Sequence, residues 1–196
     1  ADSRHRDDMR QAAKWVFGPF ESLGIPAEIV ETAGHPIVYA ESPPVVGAPT
    51  VLVYGHYDVQ PPDPLDEWHT PPFVPSIRDG RLYARGAIDD KGQVFMHMKA
   101  IEAHLSQTGS LPVNIKVVLE GEEEVGSANL DDFIKANKDL LKADVVVISD
   151  SPMFDRDVPS ICYGLRGLAY FQIDVRGSKS DLHSGSFGGA LVNPAM

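Results

Sequence analysis

The sequence predicts an α/β fold: a mixed, mostly parallel sheet between helices. Three observations carry that reading. Apolar-rich runs at Thr50 to Tyr54, Val113 to Leu119 and Asp144 to Ser149 have the composition of strands buried on both faces. Stretches with apolar residues at helical spacing alternate with these runs, as in a layered α/β domain. One histidine and several carboxylates stand just past the apolar runs, where a mostly parallel sheet presents its chemistry.

The elements follow in order. Ser3 is placed to cap a first helix, in which Met9, Ala12, Ala13, Val16, Phe17, Phe20 and Leu23 recur at helical spacing and Gly24 ends the run. Short β-rich runs cover Ala27 to Glu31 and Pro36 to Ala40. Pro43, Pro44 and Gly47 then break the chain. Thr50 to Tyr54 reads as a buried strand, with His56 and Asp58 just beyond it. Residues 60–75 form a long Pro-rich loop holding Trp68. Asp79-Gly80 between two short runs is a hairpin signal. A helix is expected from Lys91 to Ser106, with Val94, Met98, Ile101 and Leu105 inward. Val113 to Leu119 is a buried strand that delivers Glu122, Glu123 and Glu124. Ser127 is expected to cap a helix ending near Lys138, and Asp144 to Ser149 to form a third buried strand ending at Asp150. From Gly167 the character changes: Ala169 to Val175 alternates as a half-exposed strand would, and Asp181 to Gly189 is a loop rich in Gly and Ser.

Composition narrows the function. The chain has 196 residues, 43% of them hydrophobic, enough for a buried core. No apolar run is long enough for a membrane span. The net charge of −11 argues against nucleic acid or an anionic membrane as partner, since binding phosphate needs clustered Lys and Arg. Cys162 is the single cysteine, so no intrachain disulfide forms and a reducing, cytoplasmic setting fits.

The candidate site residues each have two readings. His56 and Asp58 lie on the same side of an extended chain. They are either an imidazole oriented for metal binding by a carboxylate or a surface histidine beside a turn aspartate. Asp89 and Asp90 precede a helix, as capping residues do, or else bridge two metals. Three adjacent glutamates repel one another unless cations compensate, and a general base beside a metal ligand is the sharper reading. His183 sits alone in its loop. His97 and His104 fall about 10 Å apart on one helix, too far to share an ion, and read as surface or packing residues.

The ordered segments YGHYDVQP (54–61), RLYARGAIDDKG (81–92), EGEEEVGS (120–127), ISDS (148–151) and DLHSGSFGG (181–189) resemble the M20 family of metallopeptidases, in particular its dipeptidase, carnosinase-like branch. The resemblance implies an incomplete catalytic metal-binding domain over residues 1–166 and the beginning of a lid and dimerisation domain over 167–196. It implies two divalent ions, zinc above all, with manganese or cobalt as alternatives. His56, Asp89, Glu124 and Asp150 are implied as ligands, Asp89 bridging, with Asp58 orienting His56. Glu123 is implied as the general base. His183 would be the lid histidine that reaches across a homodimer to polarise the scissile carbonyl. A small peptide is the implied substrate. A last histidine ligand, which the family carries beyond the lid, has no counterpart here, so the chain is expected to be inactive by itself. An N-acyl-amino-acid amidohydrolase and a non-catalytic module on the same fold are the competing expectations.

Overall fold

The structure is a computed structural model, and it describes residues 5–194. The residue expected to cap the first helix, Ser3, lies outside them. The described residues fall into two compact units, the first ending at Pro159 and the second beginning at Ser160.

In the first unit, helix α1 (Arg6–Ser22) buries Met9, Ala13, Val16 and Phe20, the spacing of a single helical stripe. Asp7 and Asp8 in its first turn complement the helix dipole. Strands β1 (Ala27–Val30), β2 (Ile37–Glu41) and β3 (Thr50–His56) follow, then the hairpin β4 (Ser76–Arg78) and β5 (Arg81–Tyr83). The hairpin turn has Asp79 and Gly80 both at positive φ, 50° and 73°, as the dipeptide requires for a tight two-residue turn. Helix α2 (Lys91–Thr108) ends on Gly109 in the left-handed conformation, whose N–H bonds Leu105 O at 2.9 Å. Strand β6 (Asn114–Glu120), helix α3 (Leu130–Ala136) and strand β7 (Val145–Ile148) complete the unit.

The main sheet runs in the order β1-β2-β6-β3-β7. Strand β3 is parallel to both neighbours: Val51 to Tyr54 pair with Val145 to Ile148 on one side, and Thr50 to His56 pair with Asn114 to Glu120 on the other. Strands β1 and β2 add antiparallel pairs. On one face Val38, Ala40, Val53, Val117 and Leu119 pack with the buried residues of α1 and with Val94, Met98 and Ile101 of α2. The alternate residues Ile37, Tyr39 and Val118 pack on the other face with Phe133 of α3. The mixed, mostly parallel sheet between helices is as the sequence predicts.

Four local expectations are corrected. His56 is the last residue of β3 rather than a residue beyond it, because the ladder to β6 continues through His56 and Glu120. Ser127 caps no helix: α3 begins at Leu130 behind Asn129, while the Ser127 hydroxyl donates to Glu120 at 2.8 Å. Strand β7 is not buried: among the described residues it pairs with β3 alone and forms the sheet edge, and Val145, Val146 and Ile148 are exposed. Ala169 to Val175 forms no strand, since among the described residues no neighbouring segment pairs with it, and its residues are exposed. In this second unit the regular element is a short helix, α4 (Ser184–Phe187).

Candidate metal centre and active site

Three adjacent parallel strands, β6, β3 and β7, end at one edge of the sheet, and the loop before α2 arrives there too. Each brings a side chain that cannot be satisfied by the apolar core. His56, closing β3, is fully buried. Its Nδ1 lies 3.2 Å from Asp58 Oδ1. Its Nε2 faces Asp89 Oδ1 at 3.2 Å, Asp150 Oδ2 at 3.6 Å and Glu123 Oε2 at 3.9 Å. One imidazole therefore stands among four carboxylates.

Asp58 is the pivot of this arrangement. It is also fully buried, and besides His56 it accepts the backbone N–H of Glu123 at 3.2 Å and of Glu124 at 3.1 Å. A single carboxylate thus orients the histidine and pins the glutamate loop. Burial works against both charges. The His56 hydrogen bond and charge, with the Glu124 amide, outweigh it and hold Asp58 below the usual carboxylate range. Burial likewise opposes the imidazolium, but the bond to Asp58 and the surrounding carboxylates push His56 well above an ordinary histidine. With Asp58 accepting from Nδ1, the Nε2 side is left for the other carboxylates or for an ion.

The pair of aspartates divides its work. Asp89 is exposed and turns to His56 Nε2. Asp90 is buried, accepts the His56 N–H through Oδ2 at 3.2 Å, and leaves Oδ1 without a partner. Burial pushes its carboxyl up to about 6. The peptide bond between them is cis. Asp90 makes no side-chain cap to α2, so capping is not what the pair does.

The glutamates divide in the same way. Glu122 accepts His35 N–H at 3.2 Å and Asn129 Nδ2 at 2.7 Å, anchoring the loop to two other segments. Glu123 is the one that approaches His56, and burial pushes its carboxyl up. The carboxylate of Glu124 turns instead to Gln60, whose N–H donates at 3.1 Å and whose side-chain amide donates at 2.6 Å. Behind them Glu120 is buried and accepts the hydroxyls of Tyr54 and Ser127.

The structure therefore brings His56, Asp58, Asp89, Asp150 and Glu123 together and leaves Glu124 outside that group, clamped by Gln60. His183 belongs to the second unit, where its Nδ1 accepts the Gly185 N–H at 3.0 Å. His56, Asp89 and Asp150 each offer an atom within 4.8 Å of the others. The Nε2-to-carboxylate distances of 3.2 and 3.6 Å fall within twice the roughly 2.0–2.2 Å reach of zinc to nitrogen and oxygen ligands, and imidazole with carboxylates is a donor set zinc accepts. The crowding of carboxylates around one imidazole also calls for positive charge. The residues fit a divalent ion.

Sequence reasoning missed Gln60 and Tyr54, and His97, read there as a surface or packing residue, has its Nε2 2.7 Å from Ser149 Oγ. For Gln60 and Tyr54 the partners are more than sixty positions away, so no local spacing signals them. The hydroxyl of Tyr54 at the end of an apolar run was the one available hint.

Residues 52–183 match the profile of peptidase family M20/M25/M40. The chain is 40% identical over 207 residues to Cys-Gly metallodipeptidase dug1 of Schizosaccharomyces pombe, an alignment covering 99% of this chain and 44% of that protein. It is 44% identical over 163 residues to human Beta-Ala-His dipeptidase, covering 81% of this chain and 32% of that one. The solved structure of the di-peptidase Dug1p from Saccharomyces cerevisiae superposes with a TM-score of 0.80 at 30% identity, over 99% of this chain and 44% of that chain. The chain spans less than half the length of these relatives.

Proposed function

The chain belongs to peptidase family M20/M25/M40, and from that membership we propose that it carries metal-dependent hydrolysis of the peptide bond of dipeptides or short peptides. The observation behind the reading is the His56 Nε2 facing Asp89, Asp150 and Glu123 at the ends of parallel strands. The dipeptidase names of the relatives support the substrate class.

His56, Asp89 and Asp150 would hold a divalent ion, zinc in the first instance, with manganese or cobalt as substitutes. Such an ion acidifies a water and polarises a carbonyl oxygen. The protein's own residues do the rest. Asp58 accepts a hydrogen bond from the Nδ1–H and keeps the imidazole turned to the centre. Glu123, its carboxyl raised by burial, accepts the proton of the attacking water and returns it to the leaving amine. Glu124, oriented by Gln60, would hold a second ion, to which Asp89 would also contribute. His183 is assigned to polarise the scissile carbonyl from a lid domain, across a homodimer. We place the start of that domain at residue 167. The family's last histidine ligand has no counterpart among these residues, so the full reaction belongs to the longer protein.

The test is Glu123→Gln in the complete enzyme. Turnover of Cys-Gly or β-Ala-His should fall about 10²–10⁴-fold while metal content is retained. Near-normal rates would remove Glu123 from the role. Hydrolysis of N-acetyl amino acids with no cleavage of dipeptides would replace the peptidase reading with an amidohydrolase.

A further inference from the structure

Resting on the metal reading above, the geometry points to His97 as a positioning residue that sets the Asp150 arm of the centre through Ser149. Both carboxylate arms lead back to α2. Asp89 stands two residues before the helix begins, so its place is fixed by the chain. Asp150 has no such support from its own strand. The β3–β7 ladder stops at Ile148, and Ser149 and Asp150 lie past it. Among the described residues β7 has one ladder partner, β3. The Ser151 N–H bond to Ser149 O, at 2.8 Å, is local and ties the arm to nothing else.

His97 supplies a tie to the rest of the unit. It lies on α2 about two turns after the aspartate pair. Its Nε2 is 2.7 Å from the Ser149 hydroxyl, and the residue is half-buried. Burial lowers the His97 pKa, so the ring is neutral near neutral pH, with one N–H and one bare nitrogen. A serine hydroxyl can pair with either. Helix α2 thereby carries Asp89 by covalent connection and steadies Asp150 by a hydrogen bond next to it in sequence. The two oxygens at 3.2 and 3.6 Å from His56 Nε2 are held to one rigid body. Partners bonded directly to a ligand are worth about 10–100-fold in metal affinity, and a tie one residue removed from Asp150 belongs at the lower end of that range.

The test reads metal affinity and folding separately, because a bond that only stabilised the fold would leave affinity unchanged. Co²⁺ is titrated calorimetrically into the full chain, His97→Ala, Ser149→Ala, the double variant and His97→Gln, and each metal-free form is melted. Each alanine variant should bind Co²⁺ about tenfold more weakly. The double variant should be no weaker than the weaker single one, because both remove the same bond. His97→Gln, whose amide can occupy the Nε2 position, should return to within about threefold of the unsubstituted chain. Ser149→Ala carries the test by itself if His97→Ala does not fold. Unchanged affinity in a folded alanine variant, additive losses in the double variant, or His97→Gln as weak as His97→Ala would overturn the assignment. If the unsubstituted chain binds Co²⁺ normally and His97→Ala does too, only this positioning role falls. If the unsubstituted chain binds none, the metal reading falls with it.

Discussion

Asp58 accepts from an imidazole and two amides while fully shielded from solvent. Removing it leaves the buried His56 Nδ1 and two part-buried amides without their acceptor and strands a charge-bearing histidine. Asp58→Ala should therefore destabilise the chain by about 3–5 kcal/mol in urea unfolding, the usual penalty for breaking a buried ion pair from one side. Asp58→Asn, which keeps the shape, should cost less. Equal losses would mean that charge contributes little there. The pairing of His56 with Asp58 was legible because residues two apart in extended chain share a side. The sorting of the glutamates was not. Glu122, Glu123 and Glu124 are chemically identical neighbours, and only Asn129 and His35, Asp58, and Gln60 from elsewhere in the chain assign them different work.

The segments leaving β6 and β3 pack closely where they release the site residues. A Cβ on Gly121, directly after β6, would lie 2.6 Å from the Tyr57 hydroxyl oxygen and 2.7 Å from its ring carbon Cζ. Tyr57 is buried and its hydroxyl is already spent on Pro36 O, so it has little room to yield. Gly121→Ala should cost about 1–3 kcal/mol by overpacking, measured by the same urea titration. A neutral result would mean that Tyr57 repacks freely. Among the described residues strand β7 pairs with β3 alone, and Val145, Val146 and Ile148 are exposed. The apolar run of β7 was readable from its valines. Its exposure was not, because burial depends on which strand ends up at the rim.

Across the whole molecule, a net charge of −11 accompanies four carboxylates gathered about one histidine. No helix among the described residues is long and apolar enough to cross a membrane. A bound cation offsets local repulsion and favours only the folded state. Zinc or Co²⁺ at a hundredfold excess over Kd should stabilise the chain by about 2.7 kcal/mol, and a chelator should reverse the gain. A melting temperature indifferent to both would count against a site of any strength. The layered α/β class, the hairpin turn at Asp79-Gly80 and the segments that carry the chemistry follow from the order of residues, because periodicity, turn residues and motif composition are local properties of a chain. Folding alone put β3 between β6 and β7, brought Asp89, Asp150 and Glu123 to His56 while Glu124 turned to Gln60, and set His97 against Ser149. Those outcomes depend on strand order and on contacts between residues dozens of positions apart, which no local pattern encodes.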